Sequence, residues 1–352
     1  MGSSRSELEK LQPKASDAKP LIIDFDDNSL LIELYGAQGR NLLRIEEKLG
    51  VSIANRGNRV VVTGDQADCH RAEKVLTMLY ARLSGGAELV SGDVDGAIRM
   101  SAAKEEKVKR REFGPMIKTQ KRELLPRSPN QADYISALLS DELVIGTGPA
   151  GTGKTYLAVA AAAAMLQDGL IDRIILSRPA VEAGERLGFL PGDMRDKVDP
   201  YLRPLYDALY DMLPGPQVAR GLESGEIEIA PLAFMRGRTL RNAFVILDEA
   251  QNATPMQMKM FLTRMGENSR MAITGDPTQV DLPFGAKSGL KDALEILPSV
   301  AGVSIIRFAE EDVVRHDMVT RIVKAYNKRD GQRLRLSDRE KSEDHDKPAD
   351  DQ

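Results

Sequence analysis

The stretch ELVIGTGPAGTGKTYLAVAAAAAML, residues 142–166, constrains this chain more than any other. A short apolar run stops at a glycine-rich turn, and the turn opens into an alanine-rich helix. Gly148, Gly153, Lys154 and Thr155 fit the spacing G-x-x-x-x-G-K-[ST], with strand before and helix after, the context in which such a turn wraps phosphate. The loop comprises Gly148, Pro149, Ala150, Gly151, Thr152, Gly153, Lys154 and Thr155. Its glycines let successive backbone N–H groups point inward at phosphate oxygens, and the helix N-terminus adds partial positive charge. Lys154 is expected to reach the β- and γ-phosphates of a nucleotide, and the Thr155 hydroxyl to ligate Mg2+.

From Gln131 to Asn327, strands alternate with helical patterns. The runs LVIGT, RIILS, AFVILD, MAITG and VSIIRF are short, rich in Val and Ile, and not alternating. Strands buried on both faces of a parallel sheet read this way, so the expected fold is doubly wound α/β. AFVILDEAQN delivers Asp248 and Glu249 to the end of one strand. Asp248 suits a hold on Mg2+, and Glu249 suits polarising the attacking water. A protein that only bound nucleotide would not need the second carboxylate, so the pair signals hydrolysis. MAITGDPTQVDLP ends another strand and places Gln279 to sense the γ-phosphate. Gln131, one helix ahead of the first core strand, carries an amide able to read an adenine edge. With no N/T-K-x-D guanine signature in the chain, ATP is expected over GTP.

Upstream, SLLIELYG reads as a strand ending at Gly36. Leu42, Ile45 and Leu49 then fall on one helical face, and Gly50 is placed to stop that helix. VSIANRGNRVVVTG reads as two short strands around a turn, and a second helix turns Ala72, Leu76, Leu79 and Leu83 to a core. The order is β-α-β-β-α. SGGAELVSGDVDGA reads as a linker or exposed loop, and Arg99 to Arg127 carries ten Lys/Arg against four Glu. That run is either a solvated connector or a track for a phosphate backbone. The boundaries expected are a disordered leader over 1–20, the small domain over 21–84, a basic linker over 85–127, a nucleotide-binding domain over 128–330 and a disordered charged tail over 331–352.

Composition excludes several classes. A formal net charge of −4 gives no global case for nucleic acid, so any such site is a local patch. Cys69 is the single cysteine and there are three histidines, which argues against disulfides within the chain and against structural zinc. The N-terminus lacks an apolar signal segment, no run is long enough for a membrane span, and a cytoplasmic location is expected.

Two parts of the chain resemble known families. GAQGRNLLRIEEKLGVSI is similar to RNA-binding KH modules, with Gly36 and Gly39 forming the G-x-x-G turn that lets a chain approach four nucleotides closely. Arg40 and Arg44, with Lys48, flank the same groove, whereas Ala37 and Gln38 inside the turn are not basic. The KH-like region is therefore read as RNA-binding, with a protein-docking or purely structural role as the alternative. GPAGTGKT, VILDEAQN and ITGDPTQVD resemble motifs I, II and III of superfamily 1 helicases. Together with LSRPAVEAGERLGFLPGDMRDKVDPYLRPL, FMRGRTL and EEDVVRH, they resemble the PhoH-like ATPases of bacteria over residues 131–328. That resemblance implies a RecA-like P-loop fold, ATP binding and hydrolysis in the cytoplasm, links to phosphate starvation and RNA metabolism, and, in one subgroup, work beside an rRNA-maturing endoribonuclease.

Superfamily 1 helicases close the ATP site between two such domains, but about 200 residues here suffice for only one. An arginine from a neighbouring subunit in a homo-oligomeric ring is therefore expected to complete the site. The candidates are Arg178, Arg236, Arg238 and Arg315, with Arg315 favoured as a γ-phosphate sensor in cis and Arg236 and Arg238 for the trans role. Two functions compete: an RNA-remodelling ATPase, and an ATP-gated adaptor that docks an endoribonuclease and hydrolyses slowly. A small-molecule kinase is disfavoured by the DEAQ and GDPTQ motifs and by the lack of an identifiable lid.

Overall fold

The computed structural model describes residues 20–102, 115–179, 194–283, 285–314, 318 and 322. The leader, the centre of the basic run, the first part of the long motif after Arg178, Arg315 and the charged tail lie outside the described residues. The chain divides into a unit ending at Asp312 and another beginning at Val313. Every helix and strand named here belongs to the first unit.

Its N-terminal part starts with β1 (Leu21–Asp24) and α1 (Asn28–Tyr35). The stretch expected as a strand before Gly36 is thus a helix. Asp27 caps it by accepting from the Ser29 N–H at 2.8 Å, Leu31 and Leu34 form its buried face, and Ile32 is 76% exposed. A 3-10 turn, Ala37–Gly39, leads into α2 (Arg40–Leu49), which buries Leu42, Ile45 and Leu49 and ends at Gly50 in the left-handed region. β2 (Ser52–Arg56) and β3 (Arg59–Thr63) form the expected hairpin, and α3 (Gln66–Ser84) buries Ala72, Leu76, Leu79 and Leu83. The antiparallel sheet runs β1-β3-β2. The expected linker holds a further helix, α4 (Ser91–Ser101), whose Val94, Ala97 and Ile98 complete the same core. Its two glycines lie against Arg127: a Cβ on Gly92 would stand 3.1 Å from the guanidinium, and one on Gly96 3.2 Å from the Arg127 Cα.

A small hairpin, β4 (Ile117–Lys118) and β5 (Glu123–Leu124), precedes the larger layer structure. There follow α5 (Pro129–Ser140), β6 (Leu143–Thr147), α6 (Lys154–Gln167), β7 (Arg173–Arg178), α7 (Met194–Met212), α8 (Gly215–Ser224) and β8 (Ile227–Pro231). β9 (Ala243–Leu247), α9 (Pro255–Leu262), β10 (Arg270–Gly275), α10 (Gly289–Ile296) and β11 (Val303–Arg307) complete it. The six strands are parallel in the order β11-β6-β10-β9-β7-β8. One hydrophobic layer packs α5, α6, α7 and α8 on the sheet, and a second packs α9 and α10 on the other face. This is a doubly wound P-loop α/β fold. The alanine run of α6 is buried throughout, since small side chains let that helix lie close to both sheet and neighbours. No helix among the described residues is long and apolar enough to cross a membrane.

Candidate functional site

β10 is inserted between β6 and β9, so the loops after these three strands meet at one edge of the sheet. Open α/β sheets bind ligands there, outside the carboxyl ends of strands where strand order reverses. The cleft measures about 260 Å3 and is lined by the phosphate loop, Tyr156, Asp248, Glu249, Gly275, Asp276 and Gln279.

Gly148 leaves β6 at φ +136°, and a Cβ there would stand 2.3 Å from the Phe308 carbonyl oxygen beyond β11. Only glycine passes that gap. Gly151 and Gly153 take φ of +86° and +83°, turning the chain into the N-terminus of α6. Inside this loop the Lys154 ammonium donates to the carbonyls of Gly148 at 2.7 Å and Pro149 at 2.8 Å, and to Thr152 Oγ1 at 3.3 Å. It is 8% exposed, a buried cation aimed at the cavity the loop encloses.

The fully buried strand β9 delivers Asp248, as its apolar run requires. Asp248 Oδ1 accepts from Thr155 Oγ1 at 2.6 Å and from Thr274 Oγ1, on β10, at 2.7 Å. Thr155 and Asp248 together offer the hard oxygen donors that Mg2+ takes, so the residues fit that ion. Glu249 follows at φ +51°, a left-handed conformation that costs a side-chain-bearing residue about 1 kcal/mol. Its carboxylate takes Arg178 Nη2 on Oε1 at 3.1 Å and Gln251 Nε2 on Oε2 at 2.5 Å. The other end of the Gln251 amide accepts the Asp276 N–H at 3.0 Å, tying the loops after β9 and β10 together.

Asp276 in turn holds Gln279, whose Nε2 donates to Oδ2 at 2.6 Å, while Thr278 donates N–H and Oγ1 to Oδ1. Burial pulls the Asp276 pKa upward, but these hydrogen bonds and the charge of Lys154 outweigh it and hold the carboxyl below its ordinary 3.8. The buried phenol of Tyr134, packed under Gly146, is pushed far above its ordinary value by burial and then by the Asp248 charge.

Gln131 departs from the expected role. It is 4% exposed, its Oε1 accepts the Arg127 N–H at 2.7 Å, and its Nε2 donates to the Thr152 carbonyl at 3.0 Å. Both ends of the amide are committed to backbone instead of facing a base. The contact also links domains: the Arg127 side chain pairs with Asp93 of α4 at 3.3 Å, Arg82 of α3 pairs with the same oxygen at 3.0 Å, and Arg99 Nε donates to the Arg127 carbonyl at 2.9 Å. A continuous polar path therefore runs from the small domain to the phosphate loop.

The arginines separate. Arg178 pairs with Glu249, a residue of the cleft wall, at 3.1 Å, and Arg238 forms a two-pronged pair with Glu228 at 2.6 and 2.7 Å. Arg236 is exposed just beyond the edge strand β8. In the small domain, Gly36 and Gly39 take φ of +72° and +73°, as a tight G-x-x-G turn needs, and Arg40 is exposed at the start of α2. Arg44 is instead held by Asp95 of α4 through two hydrogen bonds of 2.6 and 2.7 Å, so its fork is spent inside the domain. Sequence reasoning missed Thr274, whose only mark was a hydroxyl near the end of a buried strand, and Gln251, which stood unread inside DEAQN.

A phosphate loop at the end of β6, with an acid tied to its threonine and a second acid at the cleft, defines a P-loop nucleotide-binding protein. The model of the PhoH family, PhoH-like protein, matches residues 123–327. A PhoH-like protein of Bacillus subtilis is 49% identical over 306 residues, covering 84% of this chain and 94% of that one. A PhoH-like protein of Mycobacterium tuberculosis is 47% identical over 298 residues, covering 84% of this chain and 85% of its own, and protein PhoH of Escherichia coli is 50% identical over 206 residues, 58% of each chain. The chain belongs to the PhoH-like protein family.

Proposed function

We propose that this protein binds and hydrolyses ATP with Mg2+ and spends the turnover on RNA. The observation that carries the chemistry is the Thr155–Asp248 bond beside Glu249. Thr155 and Asp248 would hold Mg2+, which neutralises charge on the phosphates. Lys154 then supplies the cation for the β- and γ-phosphates, and Glu249 orients and polarises water at the γ-phosphate with Gln279 nearby. RNA would be engaged by the G-x-x-G turn with Arg40, and the polar path through Arg127 and Gln131 supplies a route by which the small domain acts on the loop. In a ring, Arg236 of one subunit would reach the site of the next.

The commitment of Arg44 to Asp95 favours a second reading, in which the small domain docks an endoribonuclease and ATP gates that contact. Steady-state hydrolysis of the full chain, with and without single-stranded RNA, separates the two. RNA stimulation that is lost in Arg40→Glu supports the first, while a rate indifferent to RNA in both proteins supports the adaptor. Glu249→Gln is expected to retain nucleotide and lose turnover by roughly 10² or more; normal turnover in that variant would remove Glu249 from the chemistry.

A further inference from the structure

The phosphate chemistry accounts for one end of the cleft. Asp248, Glu249, Asp276 and Gln279 enter from β9 and β10, where the γ-phosphate is handled. The cleft is also lined from α6, a helix that packs on α7 and on β4 of the hairpin. Tyr156 stands there, one residue beyond Thr155, and among the described residues it is the single aromatic side chain on the cleft wall. It is half-buried, packed against the core beneath the sheet.

The ring is held from the far side. Its hydroxyl donates to Asp211 Oδ2 on α7 at 3.2 Å, and Arg122 Nη2 from the hairpin lies 3.5 Å from the same oxygen. The O–H donates and the carboxylate accepts, so the tip of the ring is anchored to α7. Tyr156 thus lines the cleft with its ring already anchored at the tip, and fixing an aromatic beforehand lowers the ordering cost of binding. Gln131 meanwhile has both ends of its amide on backbone.

Resting on the nucleotide-binding reading above, we propose that Tyr156 is the platform on which the nucleotide's base stacks, held in position by Asp211 and Arg122. Every base has a π-face, so the subsite accepts bases by stacking strength, purines above pyrimidines, and not by an edge code.

The chain contains no tryptophan, so Tyr156→Trp introduces a single fluorophore at the proposed contact. ATP with Mg2+ is expected to quench it. Tripolyphosphate, which has the phosphates and no base, is expected to bind without quenching. Calorimetry on Tyr156→Ala provides the second measurement. Its Kd for ATP should rise roughly 5- to 150-fold, the loss of one base–aromatic stack, with the Kd for tripolyphosphate unchanged. Tyr156→Phe, which keeps the ring, should rescue binding. Equal weakening toward ATP and tripolyphosphate, or equal fluorescence responses to them, would overturn the proposal. ATP binding that needs Lys154 but ignores Tyr156 would overturn the stacking alone. ATP binding that survives Lys154→Ala undiminished would remove the nucleotide reading itself.

Discussion

Asp248 shows how much of the site depends on single atoms. Its Oδ1 serves two hydroxyls, Thr155 and Thr274, which fix the carboxylate's orientation from α6 and β10. Thr274→Val keeps the volume and deletes one donor. Loss of one such bond to a charged group, about 1.5 kcal/mol, should lower turnover about tenfold, measured at saturating ATP while titrating Mg2+. Asp276 carries a pH signature. Its folded pKa lies below the ordinary 3.8, so the unfolded chain takes up the proton first as pH falls. Its contribution to stability is complete above that ordinary value and disappears as pH drops through the lower folded value. Urea melts of wild type and Asp276→Asn should therefore differ at neutral pH, and the wild type's advantage should shrink through that acid window. An advantage that stayed constant there would contradict the assignment. Lys154, Thr155, Asp248 and Glu249 are legible as residues because the motif states them in order; Thr274 is not, since nothing local distinguishes it from any other buried strand threonine.

At the scale of elements, β6, β7, β9 and β10 are readable because burial on both faces leaves short uninterrupted apolar runs, and β11, partly buried at one edge, is readable from its Val and Ile. β8 is not. It is an edge strand of only five residues, IEIAP, with Glu228 between Ile227 and Ile229 and a proline at its end, a weaker signal that reads equally well as a loop. α1 reads as a strand because LLIELY is too short for its period to show, and only the Asp27 cap marks it as helix. α4 reads as a linker because of its glycines. Both face Arg127, a partner distant in sequence, closely enough that a Cβ would press on it. The junction of β6 with the phosphate loop offers the test at this scale. Gly148→Ala would put a methyl 2.3 Å from the Phe308 carbonyl oxygen at a positive φ. It should cost about 3 kcal/mol or more, counting overpacking and backbone strain together, seen as a lowered urea midpoint. A stability within about 0.5 kcal/mol of wild type would mean the strand ends can part freely.

For the whole molecule, the question is whether one subunit suffices. Arg238 is spent on Glu228, and Arg236 is exposed beyond the sheet edge, so Arg236 is the arginine to test in trans. Arg236→Ala and Lys154→Ala proteins should each be nearly inactive alone. Mixed in equal amounts they should regain activity, because an intact phosphate loop in one subunit can meet an intact arginine in the next. No recovery on mixing would assign Arg236 to its own subunit or to neither. The sequence by itself determined the class of fold, the phosphate loop and its acids, since these depend on residue types at short fixed spacings. Only the tertiary structure decided which polar groups are already spent: Gln131 on backbone, Arg44 on Asp95, Arg238 on Glu228. A hydrogen-bonding group satisfied inside the fold is no longer available to a ligand without cost, and that partnership is set by approach in space, which spacing along the chain does not encode.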